Sequence, residues 1–132
     1  MSQPQIELTL TAEKRQFQPG DTLSGHYRLL GVGPREVRAA ELSVLWYTEG
    51  TGDEDLAVHF FDRFDPSIRA SEICQPQYFG TQLPASPLSY PGQIVKIFWC
   101  VRVRMFLTQG KDVLVEQPFQ LGGVAPVQEV EA

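Results

Sequence analysis

The chain has 132 residues, a formal net charge of −5, 42% hydrophobic residues and 20% charged residues. That length suits one domain, and the balance is that of a folded globular protein, which excludes a disordered or low-complexity chain. The negative charge argues against nucleic-acid binding driven by phosphate neutralisation, while leaving room for a local basic patch.

Ten prolines and eleven glycines cut the sequence into strand-length pieces. No helical repeat persists without a competing two-residue period, so the chain reads as all-β. Residues 6–11 alternate, with Ile6, Leu8 and Leu10 inward. Phe17-Gln18-Pro19-Gly20-Asp21 supplies a turn, proline presetting one φ and glycine taking a positive one. Residues 22–30 resume the alternation with Leu23, Tyr27 and Leu29, and Gly25 within them marks a bulge or a close backbone approach. After Gly31-Val32-Gly33-Pro34, residues 36–48 place Leu42, Val44 and Trp46 on one face and Glu41, Ser43, Leu45 and Tyr47 on the other, although 35–41 also suits a helical turn.

The acidic residues 49–55 form a hairpin loop. Leu56, Val58, Phe60, Asp62 and Phe64 then alternate against Ala57, His59, Phe61 and Arg63, so that both faces carry aromatics. Residues 73–83 form a weaker strand, and Ser89-Tyr90-Pro91-Gly92 turns the chain into its longest one, 94–107. There Val95, Ile97, Trp99, Val101, Val103, Met105 and Leu107 face inward, opposite Lys96, Phe98, Cys100, Arg102, Arg104 and Phe106. At about 3.3 Å per residue this strand exceeds 40 Å, so its sheet must be long too. Residues 113–121 close the domain, and 122–132 form an acidic tail expected to fray. About seven strands with turn signals at close spacing mean a sandwich or a barrel, and the two-faced patterning favours a sandwich of two antiparallel sheets.

Four segments together resemble the amino-terminal domain of arrestins and their relatives. They are Phe17-Gln18-Pro19-Gly20-Asp21-Thr22-Leu23-Ser24-Gly25; residues 37–50, ending Leu45-Trp46-Tyr47-Thr48-Glu49-Gly50; the lead-in Leu83-Pro84-Ala85-Ser86-Pro87-Leu88-Ser89-Tyr90-Pro91-Gly92; and the long strand beginning Ile94-Val95-Lys96-Ile97-Phe98-Trp99. The resemblance implies a single immunoglobulin-like β-sandwich of arrestin type over residues 1–121, with Gly25 permitting a close approach. Tyr90 is expected to turn its ring inward while its hydroxyl caps the turn. The chain has room for one such lobe, not two. Its first strand carries Glu7, Thr9 and Thr11 where receptor-binding arrestins carry lysines, so phosphate sensing does not transfer. A short, acidic, single-lobed version resembles bacterial sporulation-control proteins with an arrestin-like lobe.

Little in the sequence speaks for catalysis. There is no Gly-x-Ser-x-Gly elbow, and the two histidines, His26 and His59, sit mid-strand on the polar phase. Gly31-Val32-Gly33 lacks the lysine and helix of a phosphate loop. Asp53, Glu54 and Asp55 lack calcium-loop spacing and read as a solvated loop. Asp62, Arg63, Asp65 and Arg69 read as surface ion pairs. Cys74 and Cys100 show neither CxxC spacing nor clustered histidines, so free thiols are expected, with no metal, cofactor or catalytic residue.

No apolar run reaches the roughly 18 to 20 residues of a membrane span, and Met1-Ser2-Gln3-Pro4-Gln5 lacks the basic start of a signal peptide. A cytoplasmic protein without integral membrane association is the expectation. The outward face of the long strand is the candidate site: Lys96, Phe98, Arg102, Arg104 and Phe106 place cations beside aromatics, a composition enriched at protein interfaces. The competing reading is ordinary sheet surface, covered by His59, Phe61 or Glu116 through cation–π and ion pairs. The function expected is a non-enzymatic adaptor that binds a protein partner, with an edge-strand homodimer as a further association. The alternatives are a carbohydrate or small-ligand sandwich using Trp46, Tyr47 and Tyr78, and an accessory subunit of an enzyme encoded nearby.

Overall fold

The computed structural model describes residues 3–50, 52, 54–92 and 95–122. Among these lie the strands β1 (Gln5–Leu10), β2 (Gln16–Phe17), β3 (Thr22–Leu30), β4 (Val37–Gly50), β5 (Leu56–Phe64), β6 (Gln77–Gln82), β7 (Tyr90–Pro91), β8 (Val95–Leu107) and β9 (Val113–Leu121). One sheet runs β1-β3-β6 and the other β2-β9-β8-β4-β5, with β7 also paired to β8. Their inner faces meet in one core. The small sheet contributes Leu23, Tyr27 and Leu29, with Ile6, Leu8 and Leu10 packed beside them; the large sheet contributes Leu42, Val44, Trp99, Val101, Val103 and Met105. The fold is thus a β-sandwich, and every core position named for the long strand between Trp99 and Met105 faces the core as its alternation requires. No helix among the described residues is long and apolar enough to cross a membrane.

All seven expected strands are present, and the differences have local causes. β2 and β7 have two residues each, too short for any periodicity to show, and β2 pairs with β9 in parallel rather than antiparallel. The strand expected from residue 73 begins at Gln77, after the 3-10 turn Ala70–Glu72. Pro76 lies immediately before it and has no N–H to give a ladder. The helical option at 35–41 reduces to the 3-10 turn Pro34–Glu36, after which β4 runs on to Gly50.

The motif glycines and the lead-in play mechanical roles. Gly20 takes φ +90, and the turn it occupies is closed by the Gln18 N–H donating to the Asp21 carboxylate at 2.9 Å. That hydrogen bond is the main reason the Asp21 carboxyl lies below its ordinary pKa. Gly25 sits in regular pairing without a bulge, but β1 passes so close that an added Cβ would lie 2.3 Å from the Thr9 carbonyl oxygen. In the lead-in, the Pro87 carbonyl accepts the indole N–H of buried Trp99 at 2.7 Å, while Ser89 exchanges hydrogen bonds of 2.8 Å with the backbone of Leu121. Tyr90 corrects the sequence reading: it is 50% exposed, its ring lying across Gly92 where a Cβ would come within 2.3 Å of it. Gly92 leaves open the place the ring fills, so the ring has no need of the interior.

Gly122 belongs to the folded unit, buried with its N–H donating to the Phe17 carbonyl at 2.8 Å. The remainder of the expected tail, 123–132, lies outside the described residues, as does Asp53 of the acidic loop.

Candidate interaction face on the large sheet

Register carries the outward residues of four adjacent strands into rows across the large sheet. One row reads Leu114, Arg104, Glu41, Arg63, and the next Glu116, Arg102, Ser43, Phe61. Below them lie Pro118, Cys100, Leu45, Val58, then Phe98, Tyr47, Leu56, and finally Lys96 opposite Glu49. Phe106 stands at the other end, opposite Ala39. All five sequence-predicted site residues therefore lie on this face, spread along its whole length rather than gathered at one point.

Two bulges shape the face. β5 carries an extra residue, His59, between the pairs Val44↔Phe60 and Leu45↔Val58. A bulge flips the alternation, so Leu56 and Val58 share the outer face with Phe61 and Arg63, and the strict alternation expected of this strand fails there. His59 turns instead to the small sheet, its Nε2 2.9 Å from the Gln82 carbonyl oxygen and 3.1 Å from the Thr81 hydroxyl, and its ring stands edge-on to Trp99. It covers none of the candidate residues. The second bulge puts Arg38 as the extra residue between Val37↔Leu107 and Ala39↔Phe106. Arg38 donates from Nε to the Leu107 carbonyl at 3.2 Å, and its guanidinium lies 5.6 Å from the Phe106 ring centre. Sequence alternation missed this residue, because a bulge leaves no mark on periodicity.

The charges on the face are partitioned unevenly. Arg102 donates to Glu116 at 2.6 Å, and Arg63 to Glu41 at 2.6 Å. Glu41 stands directly opposite Arg104, yet its carboxylate is given to Arg63. Arg104 lies 5.8 Å from the Phe106 ring centre, on the same ring that Arg38 approaches, and neither arginine has a carboxylate within ion-pair distance among the described residues. The expected ion pairs of Asp62, Arg63, Asp65 and Arg69 resolve into Arg63–Glu41 and Arg69–Glu72, with Asp65 accepting from Ser67.

The middle of the face is apolar. Phe98 stacks on Tyr47 with ring centres 5.3 Å apart, and Cys100 and Leu45 are buried although they point away from the core. Burial pushes the Cys100 thiol up to about 11, an effect Glu116 reinforces and Arg102 opposes, and burial likewise raises the Tyr47 hydroxyl. A protonated thiol is a poor nucleophile and metal ligand. Around this strip Leu56, Val58, Phe61 and Leu114 are 54, 49, 51 and 46% exposed.

The three aromatics of the carbohydrate alternative do not share a surface. Trp46 is packed against the core, Tyr47 is on the outer face, and Tyr78 stands exposed on the small sheet beside His26. No group of three or more His, Cys, Asp or Glu that could hold a metal occurs among the described residues.

No protein-family model matches the chain, and no curated protein does. Among solved structures it is similar to Spo0M, a sporulation control protein from Bacillus subtilis, with a TM-score of 0.61 and 13% sequence identity. The match covers 94% of this chain and 51% of that one, so this chain spans about half the length of its structural neighbour. At that identity the likeness establishes the fold, and the fold is that of an arrestin-like β-sandwich.

Proposed function

We propose that the chain is a non-enzymatic, cytoplasmic interaction module of single-lobed arrestin type that docks a protein partner on the outer face of its large sheet. The observation that carries this reading is the exposure of Leu56, Val58 and Phe61 together on β5, beside the apolar strip of Leu45, Tyr47 and Phe98, with arginines and exposed Leu114 farther across the same sheet face. Clustered apolar side chains ringed by polar ones mark interaction sites, and aromatic residues and arginine are the usual anchors. The name of the structural neighbour, a sporulation control protein, supports a regulatory rather than a catalytic role.

The test is a quantitative pull-down from native extract with the wild-type chain, a Phe61→Ser/Leu114→Ser variant, and Tyr78→Ser on the other sheet as control. Loss of the same partner from the first variant alone, with melting temperatures unchanged, is the expected result. Capture indifferent to Phe61 and Leu114 would remove the face from consideration. The edge-strand homodimer has its own candidate in β5, which among the described residues pairs with β4 alone and forms one end of the large sheet. Light scattering decides it: a monomer mass at high concentration rejects that pairing.

A further inference from the structure

Resting on the docking reading above, we infer that the end of the face built by Arg104, Phe106 and Arg38 selects an acidic, extended peptide segment of the partner.

The argument is one of charges left over. Of the arginines on the face, Arg102 and Arg63 are satisfied by Glu116 and Glu41 at 2.6 Å. Arg104 and Arg38 flank one ring and have no carboxylate partner among the described residues. The open depression that Arg38 shares with Arg35, about 970 Å³ in volume, continues the same pattern. Its two carboxylates are engaged by their own turns: Glu36 accepts the Gly33 N–H at 2.7 Å, and Asp65 accepts the N–H and hydroxyl of Ser67 at 2.9 and 2.7 Å. Arg35 itself makes no side-chain ion pair among the described residues. Arg38 thus links the two places, sharing the Phe106 ring with Arg104 and the depression with Arg35. Glu36 and Asp65 keep their charge there but are held by their own turns, and among the described residues no carboxylate forms an ion pair with any of the three guanidiniums.

Guanidinium forks pair bidentately with carboxylates, and their geometry suits a planar acid better than a point charge. The surroundings fix the rest of the ligand. Leu114 stands beside Arg104 and is exposed, and Arg38 and Arg104 lie 5.6 and 5.8 Å from the Phe106 ring centre, so the segment carries an apolar side chain next to its acids. Succession along Arg104, Arg38 and Arg35 calls for more than one carboxylate, which an extended chain presents and a single small acid does not. The chain's net negative charge is no obstacle at close range, because potentials beyond about 8 Å are screened at physiological salt.

The experiment uses the full chain and three short fluorescent peptides followed by anisotropy: alternating glutamate and valine, the same with glutamine for glutamate, and the same with phosphoserine for glutamate. The glutamate peptide is expected to bind, with the glutamine twin at least about tenfold weaker. Arg104→Gln and Arg38→Gln each lower its affinity about tenfold, whereas Arg28→Gln on the small sheet, an equal change of charge, leaves it alone; circular dichroism melting confirms that all three fold. Wild-type affinity in the Arg104 and Arg38 variants, or preference for the phosphoserine peptide, overturns the inference. Binding of the glutamine twin that is lost in Phe61→Ser/Leu114→Ser but not in the arginine variants overturns it while leaving the docking reading standing. Should no peptide bind, and partner capture also ignore the face, both fall together.

Discussion

Gly25→Ala and Gly80→Ala form a matched pair, one on β3 and one on β6, on neighbouring strands of the small sheet. At Gly25 the new methyl would lie 2.3 Å from the Thr9 carbonyl oxygen, 3.0 Å from Leu10 Cα and 3.2 Å from the Phe79 ring. The first two atoms are backbone of β1 and cannot rotate away, so relief requires β1 to retreat by about 1 Å from its partner. Overpacking of this kind costs about 1 to 3 kcal/mol. Retreat also weakens the pairing of Leu10 with Gly25 and the adjoining Thr11 N–H to Ser24 carbonyl bond of 2.8 Å, at about 1 kcal/mol each. Gly25→Ala should therefore destabilise by about 3 to 5 kcal/mol. At Gly80 the nearest atom to a new Cβ is the Ser24 Cβ at 3.7 Å, an ordinary contact, and φ is not positive. Alanine there should be neutral or stabilising by up to about 1 kcal/mol, through the entropy it removes from the unfolded chain. Urea unfolding at fixed m-value reads both numbers. Equal effects, or a tolerated Gly25→Ala, would show that β1 does not pass where the structure puts it.

Two thiol predictions concern the interior of the outer face. Ellman's reagent should titrate Cys74, which is exposed, while Cys100 reacts only on unfolding; two fast thiols would refute the packing of Cys100 under its row neighbours. Stability should also fall at alkaline pH. The Cys100 thiol is raised from 9.0 to about 11, so its contribution is fully present below pH 9 and is lost as pH climbs toward 11, to the extent of about 2 to 3 kcal/mol. Cys100→Ala should flatten that part of the profile, and an unchanged slope between pH 9 and 11 would reject the assignment.

The legible part of the molecule was whatever repeats with period two. The inward set from Trp99 to Met105, the opposed faces of β4 and the Gly25 approach all follow from side-chain alternation and from what a missing Cβ permits. Alternation fails where one strand takes an extra residue. His59 and Arg38 are the two such residues, and each is re-aimed: one to clamp the small sheet, the other to join Phe106. Nothing in the strings around them marks a bulge, because it arises from fitting two strands together and not from either alone. The outward place of Tyr90 is hidden from the sequence for a similar reason, since its ring lies across the space that Gly92 leaves open.

The same distinction decides what the candidate face can bind. Arg102 and Arg104 are equivalent in sequence, two positions apart on one strand, and any reading of the strand alone treats them as a pair of anchors. Cross-strand geometry separates them. Glu116 stands opposite Arg102 and takes it; Glu41 stands opposite Arg104 but is drawn to Arg63 on the other side. An exposed pair of that kind adds little stability, of the order of 0 to 1 kcal/mol. Its larger effect is on availability, because an engaged carboxylate is withdrawn from its other neighbour. The β5 strand, by supplying Arg63, leaves Arg104 without a carboxylate partner among the described residues, and the bulge in β4 delivers Arg38 to the same ring. If the proposed docking reading holds, recognition on this sheet is set by which cations the fold leaves unpaired; replacing Arg63 with glutamine should then return Glu41 to Arg104 and lower the affinity of the glutamate peptide in the anisotropy assay, and an unchanged affinity would refute it.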